Sequence, residues 1–267
     1  QLVLPAGETP SGQTPGYTPE ALLRRKSFDE IAAHEVAALE RLLARLALRL
    51  ATRRSRRLVP TRARGTIDLR RSFRAALATE GEFIRLARRM RSLDEPRLVF
   101  LYDTSGSMDP HTRFHLAFAF ALRRVIGRVE IFAFNTVLTR VTTAVTPLKT
   151  ARSLADLAAA VPDWSGGTRI GACLAEFMTA YADALVRSDT SIVIVSDGLD
   201  RGDPAVLANA LSALHGRACS IFWLNPLLGD ARYRPLADGM AAALPHIDYF
   251  GPAHNVEALE KFVRSLH

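Results

Sequence analysis

The chain has 267 residues, 48% of them hydrophobic, and its 35 Lys and Arg against 27 Asp and Glu give a formal net charge of +8. That length and apolar content suit one large domain, or one domain with a sizeable extension, and no run approaches the ~20 apolar residues that a membrane helix requires. Cys173 and Cys219 lie far apart without a CxxC partner, which argues against a disulfide framework or a cysteine-rich zinc site and predicts two reduced core thiols.

The charge is uneven. Residues 41–97 hold 17 Arg against 5 acids, a local excess of 12 that exceeds the total of +8 and leaves the rest of the chain at −4. The sequence therefore reads as a basic segment joined to a nearly neutral body. Nothing near the start has the charged, apolar and small-residue layout of a signal peptide, so a soluble cytoplasmic protein is expected.

In chain order, residues 1–18 are punctuated by Pro5, Pro10 and Pro15 and read as a flexible lead-in. Residues 19–95 read as a basic helical region. From Phe28 to Leu50 the apolar positions Ile31, Val36, Leu39, Leu42, Leu43, Leu46 and Leu50 recur at three- and four-residue spacing, which predicts an amphipathic helix with one face to bury. The stretch "ATRRSRRLVPTRARG" breaks that period with Pro60 and Gly65, and "IDLRRSFRAAL" and "EFIRLARRMR" then predict two shorter basic helices. A boundary is placed at Asp94–Pro96.

Residues 96–267 alternate strands with helices. Apolar runs at Leu98–Tyr102, Val129–Phe134, Ser191–Val195, Ser220–Leu224 and, more weakly, Ile247–Phe250 predict strands. Helical patterns fall around His111–Ile126, Ser153–Val161, Gly171–Val186, Pro204–Leu214, Leu236–Leu244 and Val256–Leu266. The expected fold class is α/β: a doubly wound, mostly parallel sheet, with Leu138–Val141 as an antiparallel edge strand.

In such a sheet, ligands bind at the carboxyl ends of strands where the strand order reverses. Three polar stretches are expected there: "DTSGS" after the first strand of the body, "SGGT" before the helix at Gly171, and "SDG" after the strand ending at Val195. The oxygens of Asp103, Ser105, Ser107, Thr168 and Asp197 make a hard donor set without His or Cys, which suits Mg²⁺, with Mn²⁺ or Ca²⁺ as alternatives, and not zinc. Alternation at 103, 105 and 107 aims three side chains at one spot. Gly106, Gly166, Gly167 and Gly198 allow the backbone to turn tightly beside it.

These residues resemble the metal-ion-dependent adhesion site of von Willebrand factor A domains. The resemblance implies that Asp103, Ser105 and Ser107 sit in the ion's shell, that Thr168 and Asp197 bind it directly or through water, and that an open position accepts a carboxylate from a partner. With "TRRSRR", "DLRRSFRAAL", "VPDWSGGTRIG", "VSDGLDRGDP" and "WLNPLLGD", the chain from about Thr18 resembles the CoxE-like branch, which pairs a basic amino-terminal region with an A domain. That resemblance implies an accessory factor acting with a MoxR-type AAA+ ATPase in maturing a molybdenum hydroxylase such as carbon monoxide dehydrogenase. The chain has Leu199 where the branch commonly carries an aromatic residue, so the rim of the site is expected to differ.

Each candidate also has a plainer role. Asp103, Ser105 and Ser107 are favoured types for capping the helix near Pro110, Thr168 for capping the next one, and Asp197 for a turn with Gly198. Asp200 and Asp203 are expected on the rim or capping the helix after Pro204. His111 and His115 lack the Glu of HExxH and read as packing or surface residues, and Trp164 and Trp223 as packing anchors. The Arg-rich segment has three readings: a solvated helical face, a dock for an acidic partner, or a nucleic-acid contact, the last with only Phe73 and Phe83 as stacking residues. No GxxxxGK[ST] or GxSxG is present, and the enzymatic alternative is a Mg²⁺-dependent phosphatase with Asp103 as nucleophile. A non-enzymatic adaptor is expected, and in it Asp103→Ala abolishes metal-dependent binding without unfolding the chain.

Overall fold

The computed structural model describes residues 18–51, 54–61, 65–77, 86–93, 96–142 and 167–266. The predicted helix at Ser153–Val161 and Trp164 lie outside them. After Pro96 the chain builds a six-stranded sheet from β4 (Arg97–Asp103), β5 (Val129–Phe134), β6 (Leu138–Arg140), β7 (Thr190–Val195), β8 (Ser220–Asn225) and β9 (Tyr249–Pro252). The strand order is β6-β5-β4-β7-β8-β9. Every pairing is parallel except β5 with β6, which places the antiparallel strand at the edge as expected.

Period-two alternation divides the core. Leu98, Phe100 and Tyr102 of β4 point into one apolar layer, while Val99 and Leu101 point into the other. The second layer is closed by α5 (Ile170–Ala180), α7 (Pro204–His215) and α8 (Asp238–Ala243), through residues such as Phe177, Leu211 and Met240. A short helix, α6 (Ala182–Leu185), follows α5. Both faces of β7 are therefore covered, and all six of its residues are buried, which is why it reads as an unbroken apolar run.

The first layer is closed by α4 (Asp109–Val125), α9 (Val256–Ser265) and a helix from the basic region, α2 (Val36–Ala51). Leu39, Leu42, Leu43, Leu46 and Leu50 of α2 sit in the same cluster as Phe100, Leu122 and Phe262. The predicted helix over 28–50 is interrupted: Phe28–Glu30 is one 3₁₀ turn, and α2 begins at Val36. Before it, α1 (Pro19–Arg25) is tied to α9 by ion pairs from Arg24 to Glu260 and from Arg25 to Glu257. The Phe28 amide donates to the His254 carbonyl at 2.8 Å, and Asn255 Nδ2 donates to the Arg25 carbonyl at 2.9 Å.

Phe28 is 2% exposed and packs against His111, Phe114 and His115. His115 Nε2 lies 2.6 Å from the Ala253 carbonyl, and burial pushes its pKa down to about 3, so the ring is neutral. Both histidines of α4 are thus packing residues.

The basic region also contains a small antiparallel sheet in the order β1-β3-β2, from β1 (Arg54–Thr61), β2 (Thr66–Ile67) and β3 (Arg88–Leu93), with α3 (Leu69–Leu77) between β2 and β3. The helix expected over "EFIRLARRMR" is corrected here: residues 88–91 belong to β3, and 82–85 fall outside the described residues. Pairing on both sides of β3 overrides the helical preference of Arg, Leu and Ala. Pro60 is accommodated because β1 is an edge strand. A second correction concerns the thiols: Cys173 is buried, but Cys219 is exposed. No described helix is long and apolar enough to cross a membrane.

Candidate metal centre

The chain leaves β4 through α4 to β5 on one side and, after β6, enters β7 from α5 and α6 on the other side of β4, so the order reverses at the carboxyl ends of β4 and β7. "DTSGS" follows the first and "SDG" the second. Tyr102 is the register partner of Val195, which sets Asp103 beside the start of the second loop.

The five candidate residues come together. Asp103 is 0% exposed; its Oδ1 accepts the Ser105 amide at 2.9 Å and the Thr168 hydroxyl at 3.3 Å. The Ser105 and Ser107 hydroxyls lie 3.2 Å apart, and Ser107 Oγ donates to Asp197 Oδ2 at 2.6 Å. Asp197 Oδ1 accepts the Leu199 amide at 3.0 Å, so one carboxylate oxygen fixes the turn and the other faces the serines. Gly198 has φ +83, and a Cβ there would meet Met240 Cγ at 2.2 Å, so both the backbone and the space require glycine. The group opens onto a cleft of about 510 Å³ lined by Ser105, Ser107, Thr168, Leu199 and Arg201 among others.

The capping alternatives are decided by the same hydrogen bonds. The caps preceding the 3₁₀ turn Gly106–Met108 and α4 are Ser105 and Met108, and neither makes a side-chain capping bond. Thr168 does not cap α5; Asp200 does, with Oδ1 accepting the Ile170 amide at 3.0 Å and Oδ2 the Gly171 amide at 3.1 Å. Asp200 is on the rim as expected, since it lines the cleft, and its cap is of α5 and not of the helix after Pro204. Asp203 caps α7 as expected, accepting the Ala205 amide at 2.9 Å.

Burial pushes the Asp103 carboxyl up to about 6, and the nearby negative charge of Asp197 acts in the same direction. Neither carboxylate has an ion pair among the described residues. Two buried acids, three hydroxyls and no basic partner form a donor set that fits a hard divalent cation, because an uncompensated buried charge is costly. No cluster of three His, Cys, Asp or Glu is found among the described residues, which agrees with a set in which three of five members are hydroxyls.

Several supporting residues went unnamed in the sequence reading. Ser196 Oγ donates to Asp103 Oδ2 at 2.7 Å and accepts the Gly198 amide at 3.0 Å. Trp223 Nε1 holds the Ser196 carbonyl at 3.0 Å, which gives this packing anchor a second role. Asn225 Nδ2 donates to the Asp197 carbonyl at 3.0 Å, and the Tyr233 hydroxyl reaches the same oxygen at 3.2 Å. The available signal was position: Ser196 and Asn225 directly follow β7 and close β8, at the strand ends where ligands bind.

The family model described as VWA domain containing CoxE-like protein matches residues 37–259. No curated protein matches. Among solved structures, a von Willebrand factor type A protein from Catenulispora acidiphila is 19% identical with a TM-score of 0.42, over 67% of this chain and 43% of that one. Proximal thread matrix protein 1 from the mussel byssus, with a zinc-occupied MIDAS motif, is 12% identical with a TM-score of 0.41, over 63% of this chain and 44% of that one. The PilB minor pilin of Streptococcus sanguinis is 12% identical with a TM-score of 0.36, over 68% and 63%. The chain spans less than half the length of the first two.

Proposed function

The chain belongs to the family of VWA domain containing CoxE-like proteins, and from that premise we propose that it is a metal-dependent protein-binding adaptor and not an enzyme. The observation that carries this reading is the pair of buried carboxylates, Asp103 and Asp197, joined to three hydroxyls without a basic partner among the described residues. Asp103, Ser105, Ser107, Thr168 and Asp197 hold the ion. When bound, Mg²⁺, or Mn²⁺ or Ca²⁺ in its place, supplies an open coordination position for an acidic side chain of the partner. Ser196 and the Ser105 amide keep Asp103 oriented, and Asn225 and Tyr233 fix the Asp197 backbone, so the donor set is preorganised.

By family resemblance the partner is a MoxR-type AAA+ ATPase, the client is a molybdenum hydroxylase such as carbon monoxide dehydrogenase, and the setting is the cytoplasm. Residues 96–267 form the A domain and 19–95 a basic region that packs on it or on a partner. The test is a pull-down from host lysate with tagged wild type in Mg²⁺, wild type in EDTA, and Asp103→Ala, identified by mass spectrometry. Retention of an AAA+ ATPase or a molybdenum hydroxylase only by wild type in Mg²⁺ supports the adaptor; the same partners in all three samples refute metal-dependent binding.

A further inference from the structure

The rim of the cleft carries features that holding an ion does not explain. Leu199, two residues beyond Asp197, is 52% exposed, although its amide is pinned to that carboxylate. Leu236 is 81% exposed and precedes Ala237, which lines the cleft. Isolated surface leucines are ordinary, but here Leu199 lines an opening that also holds the serine hydroxyls, and Leu236 adjoins it through Ala237.

Arg201 stands on the same rim. Its backbone is fixed by an amide bond to the Thr168 carbonyl at 3.0 Å. Its guanidinium lies over Gly167, where a Cβ would meet Nη1 at 2.9 Å, so the missing side chain at 167 makes room for it. Arg201 lines the cleft, is exposed, and joins no ion pair among the described residues. An unspent guanidinium beside a site for one carboxylate is suited to a second one.

We propose that this rim selects partner segments carrying two carboxylates with an apolar side chain beside or between them: one acid for the ion position, the apolar group for Leu199 and Leu236, and the second acid for Arg201. The proposal rests on the metal-dependent reading above and adds the partner's local chemistry to it. A cleft of about 510 Å³ holds a few side chains of an extended segment and not a folded surface.

The experiment is selection of a random heptapeptide phage library on the full chain in Mg²⁺, with elution by EDTA, repeated on Arg201→Gln and on Leu199→Ser/Leu236→Ser. Wild type is expected to enrich peptides with two acids and an adjacent Leu, Ile or Phe. Arg201→Gln should lose the second acid and keep the first, weakening the selected peptide about fivefold. The double serine variant should lose the apolar preference. Enrichment of a single acid with no neighbour preference, unchanged in the variants, overturns this proposal while leaving the metal-dependent reading standing. No EDTA-eluted enrichment on wild type overturns both.

Discussion

Replacing Asp103 by Asn separates the cost of the site from its use. In the metal-free chain the Asp103 carboxyl titrates at about 6 against an ordinary 3.8, so keeping it ionised at neutral pH costs the fold about 3 kcal/mol. Because the folded pKa is raised, this acid contributes stability below pH 3.8 that is lost as pH rises through about 6. Asn keeps an acceptor for the Ser105 amide and the Thr168 hydroxyl and carries no charge. Ser196 Oγ, which donates to Asp103 Oδ2, loses that acceptor in the variant at about 1 kcal/mol, so in EDTA at about pH 7.5 Asp103→Asn is expected to be more stable than wild type by about 2 kcal/mol. At pH 4 the advantage should vanish.

Mg²⁺ should reverse the order. Wild type gains roughly 2.7 kcal/mol when the ion is at a hundred times its dissociation constant, and the variant gains little. The assay is urea denaturation followed by circular dichroism at the two pH values, in EDTA and in Mg²⁺. A variant less stable than wild type in EDTA at neutral pH would refute the claim that Asp103 is held ionised against its surroundings. Wild type indifferent to Mg²⁺ would refute the site.

His115 acts in the opposite direction. Its folded pKa of about 3 lies below the ordinary 6.5, so the fold loses stability as pH drops below 6.5, by about 2 kcal/mol at pH 5; His115→Gln should flatten that slope in a pH series of urea midpoints, and an unchanged slope would remove His115 as its source. Leu43 is 1% exposed in the layer shared by α2, α4 and α9, and Leu43→Ala should cost about 2–5 kcal/mol in a single unfolding transition. A small early transition with the main one unmoved would show instead that α2 folds apart from the sheet.

The strands of the body were legible because parallel strands buried on both faces read as unbroken apolar runs with polar residues at their ends. The three candidate loops were legible for the related reason that serines, threonines and aspartates directly after such runs have little packing role. The small basic sheet was not legible. "RRMRSL" has no apolar alternation, and β3 is a strand because β1 and β2 flank it, which is a property of tertiary pairing and not of the segment. Which helix Asp200 caps was not legible for a comparable reason: proximity to Asp203 suggested a shared task, whereas its carboxylate reaches across to the two first amides of α5. The exposure of Cys219 follows from its place just before β8 begins, outside the buried part of that strand.

Composition and packing divide the chain at different places. Composition follows what the surface shows, and by that measure the arginines run on to Arg97. Packing follows what is hidden, and by that measure α1 and α2 belong with the body: their leucines fill the layer beneath β4, while Arg45 of α2 turns outward to pair with Glu20. Covering α4 and α9 solves a problem that the sheet alone leaves open, because Phe114, Phe118 and Phe262 would otherwise face water. Among the described residues, none of the small sheet or α3 belongs to either apolar layer of the six-stranded sheet. Among the described residues the basic region thus has two physical parts, one that completes the core and one whose Arg70, Arg71, Arg74, Arg88 and Arg89 are exposed, and the second can meet a partner without opening the fold.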